Sequence, residues 1–129
     1  MGKISSYRDL KVWQLAIDIS VACYEVTKTL PREEIYGLTS QIRRSSASVA
    51  ANIAEGYGRE NRGSFVQFLR IAQGSLKELE THLIIAGRVD LIRSAVLSEL
   101  LDKCDENGKM LGALIRTVQR KKDDEQVRG

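Results

Sequence analysis

The sequence predicts an all-α protein, an up-and-down antiparallel four-helix bundle forming a single domain over residues 1–129. Three observations carry that expectation. Apolar residues recur at alternating steps of three and four through four separate stretches, the period of a helix with one buried face. Proline occurs once, at Pro31, whereas strand-rich folds need many turns and turns draw on proline. No stretch reads as a strand, and the chain is long enough for one real core.

The first helix is predicted over Tyr7 to Leu30. Val12, Ala16, Ile19, Cys23, Val26 and Leu30 form its seam. Trp13, Ile17 and Tyr24 widen the seam, and Leu15, Val21 and Ala22 put apolar groups on a further face. Only Lys11, Gln14, Asp18, Glu25 and Lys28 remain as a narrow polar stripe. A helix apolar around most of its circumference requires a second surface to bury against. Pro31 ends it, because the residue before proline resists helical geometry.

After a linker over residues 31–37, the second helix is predicted from Leu38 to Glu55, stopped by Gly56. Leu38, Ile42, Val49 and Ile53 make its apolar stripe. Ala47, Ala50 and Ala54 make a second stripe, small enough for a neighbouring backbone to come close. A polar loop, GYGRENRG, leads to a third helix capped by Gly63 or Ser64 and running to about Gly87. Its seam is Phe65, Leu69, Ala72, Leu76, Leu79, Leu83 and Ala86. The last helix is expected from Ser94 to Arg120, with Leu97, Leu101, Cys104, Gly108, Leu111, Ile115 and Val118 inward. Short connections make consecutive helices antiparallel. Residues 1–6 and 121–129 are expected to be flexible ends.

Hydrophobic residues at 43% and charged residues at 29% are ordinary for a soluble globular protein. The chain has no bilayer-spanning apolar run and no signal-peptide core, so a cytoplasmic location without a membrane partner is expected. Cys23 and Cys104 lie on apolar stripes without metal-ligand spacing and read as buried thiols of a reducing compartment. The net charge of +3 and pI of about 9.0 allow an acidic partner without demanding one.

The closely spaced glycines of GYGRENRG would cradle phosphate only between a strand and a helix, so the segment reads as a helix–helix connection. His82, the single histidine, has Glu78 one turn before it, but a metal site needs three or four ligands. His82 flanks the main seam of its helix and is expected as a residue at the edge of the core, hydrogen-bonded to a neighbour. No nucleophile has an obvious base, and Glu33 and Glu34 read as solvated. No enzyme activity, metal or cofactor is therefore expected.

Arg32, Arg43, Arg44, Arg59, Arg62, Arg70 and Lys77 cluster in the middle of the chain. Arginine suits phosphate recognition, which makes Arg43, Arg44, Arg59 and Arg62 candidates for contact with nucleic acid. The alternative is a solvated surface with ion pairs, for example to Glu55 and Glu60. Asn52, Glu55, Ser75 and Glu78 form an unusual polar set, expected to share hydrogen bonds between helices two and three and so fix their register. Gly74 lies nearly opposite the seam of its helix, where glycine costs about 1 kcal/mol relative to alanine. Close approach of another backbone would explain it.

The order YRDLKVWQLA, LTSQIRRSSASVAANIAEGYGR and FLRIAQGSLKELETHL resembles the bacterial four-helix-bundle family named after proteins encoded in intervening sequences of 23S rRNA genes. The resemblance covers Tyr7 to Leu91, and NIAEG and GSLKELE are its most specific pieces. Arg43, Arg44, Asn52, Glu55, Gly56, Gly74, Ser75 and Glu78 match characteristic positions of the family. The fold family includes the accessory variability protein of diversity-generating retroelements, a basic pentameric barrel that works with a reverse transcriptase and nucleic acid. The resemblance implies a four-helix protomer, a ring-like homopentamer, RNA, DNA or a reverse transcriptase as partner, and no known enzyme activity.

Two functions stay open on these grounds. One is a non-enzymatic homo-oligomer that binds RNA, DNA or a nucleoprotein partner through its arginines. The other is a protein–protein scaffold or adaptor without nucleic-acid binding. A bundle metalloenzyme would need Glu-x-x-His pairs on two helices, and the sequence has none.

Overall fold

The computed structural model describes residues 3–128, and no strand occurs among them. The four helices are α1 (Lys11–Thr27), α2 (Leu38–Tyr57), α3 (Arg62–Arg88) and α4 (Ser94–Arg128). Each packs on the next in chain order, and α1 closes the square on α4, leaving α1 and α3 diagonal. Side-chain pairs fix the directions. Ser20 meets Ser46 and Thr27 meets Arg43 across α1–α2; Arg44 meets Glu78 and Ser48 meets Ser75 across α2–α3. As one number rises the other falls, so the helices run antiparallel.

The core is aliphatic. Ile19, Ile42, Ile53, Leu69, Leu76, Leu79, Leu83 and Leu111 are its largest fully buried side chains. The predicted seams are recovered for α1 to α3 except at their edges, where Val26, Leu38 and Phe65 are half-buried. On α4 the seam shifts by one residue in two layers: Leu100 and Asn107 are buried, whereas Leu97, Leu101 and Gly108 are half-buried. Asn107 can take an inward position because its amide nitrogen donates to the Val12 carbonyl at 2.9 Å.

Several predicted ends move, each for a local reason. The first helix does not begin at Tyr7. Tyr7–Asp9 form a separate 3-10 turn, with Ser6 accepting from the Arg8 N–H and Asp9 accepting from the Ser5 and Ser6 N–H groups. These bonds hold the Asp9 carboxyl below the usual carboxylate range. Leu10 is then extended (φ −74°, ψ 122°) before α1 starts. The linker holds a 3-10 turn at Arg32–Glu34. Gly56 does not stop α2, which runs on to Tyr57. Asn61 caps α3, its Oδ1 accepting from the Ser64 N–H at 2.8 Å, in place of Gly63 or Ser64. Asp90 takes the left-handed conformation (φ 63°) that turns the chain out of α3.

The alanine stripe of α2 also divides. Ala50 belongs to the core, Ala54 is half-buried and Ala47 is exposed. At the C-terminus, α4 continues eight residues past Arg120 to Arg128, and Glu125 on this extension pairs with Arg62. Of the ends expected to be flexible, residues 1, 2 and 129 lie outside the described residues.

Candidate functional site

Arg44, Ser48, Asn52 and Gly56 follow one another every four residues along α2, a spacing that places them on one helix face. That face meets α3. The Arg44 guanidinium reaches Glu78 Oε2 at 2.9 Å. One turn on, the Ser48 and Ser75 hydroxyls are 2.9 Å apart. Asn52 then donates its amide to the Ser48 carbonyl at 2.8 Å and to the Ser48 hydroxyl at 3.0 Å.

At Gly56 the α2 backbone lies close against α3. A Cβ there would lie 2.7 Å from Phe68 Cβ and 3.0 Å from Phe65 Cδ1. This glycine is required by packing, not by a turn.

The predicted polar set is thus joined in part. Asn52 and Ser75 connect through Ser48, and Glu78 crosses the seam to Arg44. Glu55 stays on its own helix, bound to Arg59 at 2.6 Å. Ser48 was missed in the sequence, although its position four residues before Asn52 placed it on the same face.

The four candidate arginines are largely engaged. Arg44, Arg59 and Arg62 pair with Glu78, Glu55 and Glu125. Arg59 also lies 4.7 Å above the Phe68 ring. Arg43 Nε donates to Thr27 Oγ1 at 2.8 Å, and its guanidinium stacks 4.8 Å over the Tyr24 ring. Arg43 alone of the four faces no carboxylate within ion-pair distance among the described residues. All three ion pairs are about half exposed and add little to stability. Their effect is to neutralise charge locally.

Cys23 and Cys104 are fully buried. Desolvation pushes both thiols up to about 12, with the Ser46 hydroxyl partly offsetting the shift at Cys23. A thiol held protonated is a poor nucleophile and a poor metal ligand. His82 is half-buried, and no side-chain hydrogen bond to it forms among the described residues. No three His, Cys, Asp or Glu side chains gather around a common point among those residues. No helix among them is long and apolar enough to cross a membrane.

The class these features define is a small antiparallel four-helix bundle with a hydrogen-bonded α2–α3 seam. Residues 8–113 match the model of the 23S rRNA-intervening sequence protein family, and the chain belongs to that family. The match extends beyond Leu91 into α4, where only the apolar pattern was legible. The chain is also similar to a solved structure from Bacteroides thetaiotaomicron VPI-5482, a protein of unknown function from the S23 ribosomal protein family. The two are 27% identical with a TM-score of 0.75, over 81% of this chain and 97% of that one. No curated protein matches the chain.

Proposed function

We propose that this protein is a non-enzymatic bundle whose first partner is another copy of itself. One observation carries the reading. Large apolar side chains lie exposed on two helices that stand diagonal in the bundle, α1 and α3. On α1, Val21 is 57% exposed and Tyr24 43%, beside half-buried Ile17; steps of four and three put all three on one face. On α3, diagonal to α1, Ile85 is 44% exposed, and Val89, the residue that caps the end of that helix, is 56% exposed. A cyclic ring joins two different faces of the protomer head to tail. The α1 face of one copy docks on the α3 face of the next, and the family resemblance, which implies a pentamer, supports a ring of five.

Light scattering at micromolar concentration tests this, with a mass several times that of one chain expected. Val21→Glu and Ile85→Glu should each give monomers. Mixed together they should form a one-to-one dimer, because each variant retains the face that the other has lost. A monomeric parent, or a mixture that stays monomeric, would end the proposal.

A second reading, contact with RNA or DNA, rests on Arg43, the candidate arginine without a carboxylate. A ring would set several copies of it side by side and strengthen their field. Binding should then weaken steeply with salt, and Arg43→Glu with Arg44→Glu should abolish it, the mass being measured alongside because Arg43 stacks on Tyr24 of the docking face. No binding at low salt would leave the scaffold alone.

A further inference from the structure

A cleft of about 540 Å³ opens between α3 and α4, within the size range of small-molecule sites. Two helix-interior glycines, Gly74 and Gly108, face it from opposite helices. Neither is required by packing. A Cβ at Gly74 would meet nothing within 4 Å, and one at Gly108 would meet only Leu76 Cδ2, at an ordinary 3.5 Å. Their consequence is a cleft whose walls carry little side chain and whose floor is Leu76.

The rim is cationic. Arg70 and Lys77 stand on α3 and Lys109 on α4, against the single carboxylate of Asp105. Arg70 forms no salt bridge among the described residues. Lys77 pairs with Glu80 at 3.2 Å and Lys109 with Asp105 at 3.3 Å. Both lysines are well exposed, and such pairs are weak enough to exchange for an incoming anion. Seven residues separate Arg70 from Lys77, about 10 Å along the helix, the length scale of a short polyphosphate. Gln73 and Asp105 supply an amide and an acceptor for hydroxyl or amino groups beyond the phosphates.

We infer that the α3–α4 cleft binds a small polyphosphorylated ligand of nucleotide size, its phosphates held by Arg70, Lys77 and Lys109. The inference is independent of the assembly proposed above.

Calorimetric titration of the full chain with ATP, ADP, inorganic phosphate and adenosine tests it. ATP and ADP should bind, inorganic phosphate more weakly, and adenosine not at all. Arg70→Ala and Lys109→Ala should each weaken ATP binding about tenfold, the loss of one charge-assisted bond. Gly74→Leu should fill the cleft and abolish binding while raising thermal stability, because leucine is the better helix former. Its light-scattering mass should equal that of the parent, which separates ligand loss from loss of assembly. Absence of binding at millimolar ATP would overturn the inference. So would inorganic phosphate binding as tightly as ATP, or a Gly74→Leu variant that binds like the parent or changes mass.

Discussion

Along α2, positions 44, 48 and 56 engage α3 by ion pair, hydroxyl pair and bare backbone in succession, and Asn52 braces Ser48 from within α2. The α1–α4 side is built differently. Clefts of about 430 and 200 Å³ lie beside Val26, Val96 and Leu100. The polar contact across it, Asn107 to the Val12 carbonyl, leaves the Asn107 Oδ1 buried without a partner. The contrast follows from side-chain size, since small residues bring helix axes together and branched aliphatic ones hold them apart. The first seam specifies register through paired polar groups. The second relies on aliphatic burial and carries one incompletely satisfied asparagine.

Four substitutions or conditions can break or sharpen this comparison. The largest effect is expected at the close approach: Gly56→Val should destabilise by about 3 kcal/mol, the upper range for overpacking, measured by urea unfolding. Gly74→Val, in open space on the next helix, should be close to neutral. If the two variants behave alike, close packing does not distinguish the sites.

Next comes pH. Cys23 on α1 and Cys104 on α4 have folded values of about 12 against an ordinary 9.0. A raised value means that the thiols' contribution is complete below about pH 9 and is lost as pH climbs towards 12. Unfolding midpoints should therefore fall over that window. A double Cys23→Ala, Cys104→Ala variant should show a shallower fall, and equal slopes would remove the thiols from the explanation.

Asn52→Ala should cost about 1 kcal/mol, the net value of ordinary hydrogen bonds in a half-buried setting. The loss should shrink when Ser48 is already alanine, because the bond to the Ser48 hydroxyl is then gone and only that to its carbonyl remains; additive losses would argue against a linked seam. Asn107→Leu should have the smallest effect, within about 1 kcal/mol of the parent, since removing an unpaired buried carbonyl offsets the lost bond to Val12. A loss of several kcal/mol there would show that the α1–α4 side depends on its asparagine as strongly as α2–α3 depends on its ladder.

Much of the fold was legible because burial in a bundle follows a period that the chain displays directly. The run from Leu69 to Leu83 on α3 is an example: each apolar position three or four residues from the last is inside. The candidate site was less legible. Arginine type indicated affinity for phosphate, but whether a guanidinium is free depends on which carboxylate faces it. Glu78 lies 34 residues from Arg44 and Glu125 lies 63 from Arg62, beyond the reach of any local spacing rule.

The sequence by itself determined four helices, their order, most of their inward faces and the family to which the chain belongs. Those properties rest on local periodicity, turn chemistry and motif identity, all read within a few turns of chain. Only the tertiary structure decided that Gly56 is a point of contact and not a stop, that Asn107 replaces Gly108 in the core, and that Ser48 links Asn52 to Ser75. It also decided that Gly74 and Gly108 open onto one cleft. Each of these depends on which residue of a distant helix arrives opposite, and that is set by the packing of whole helices.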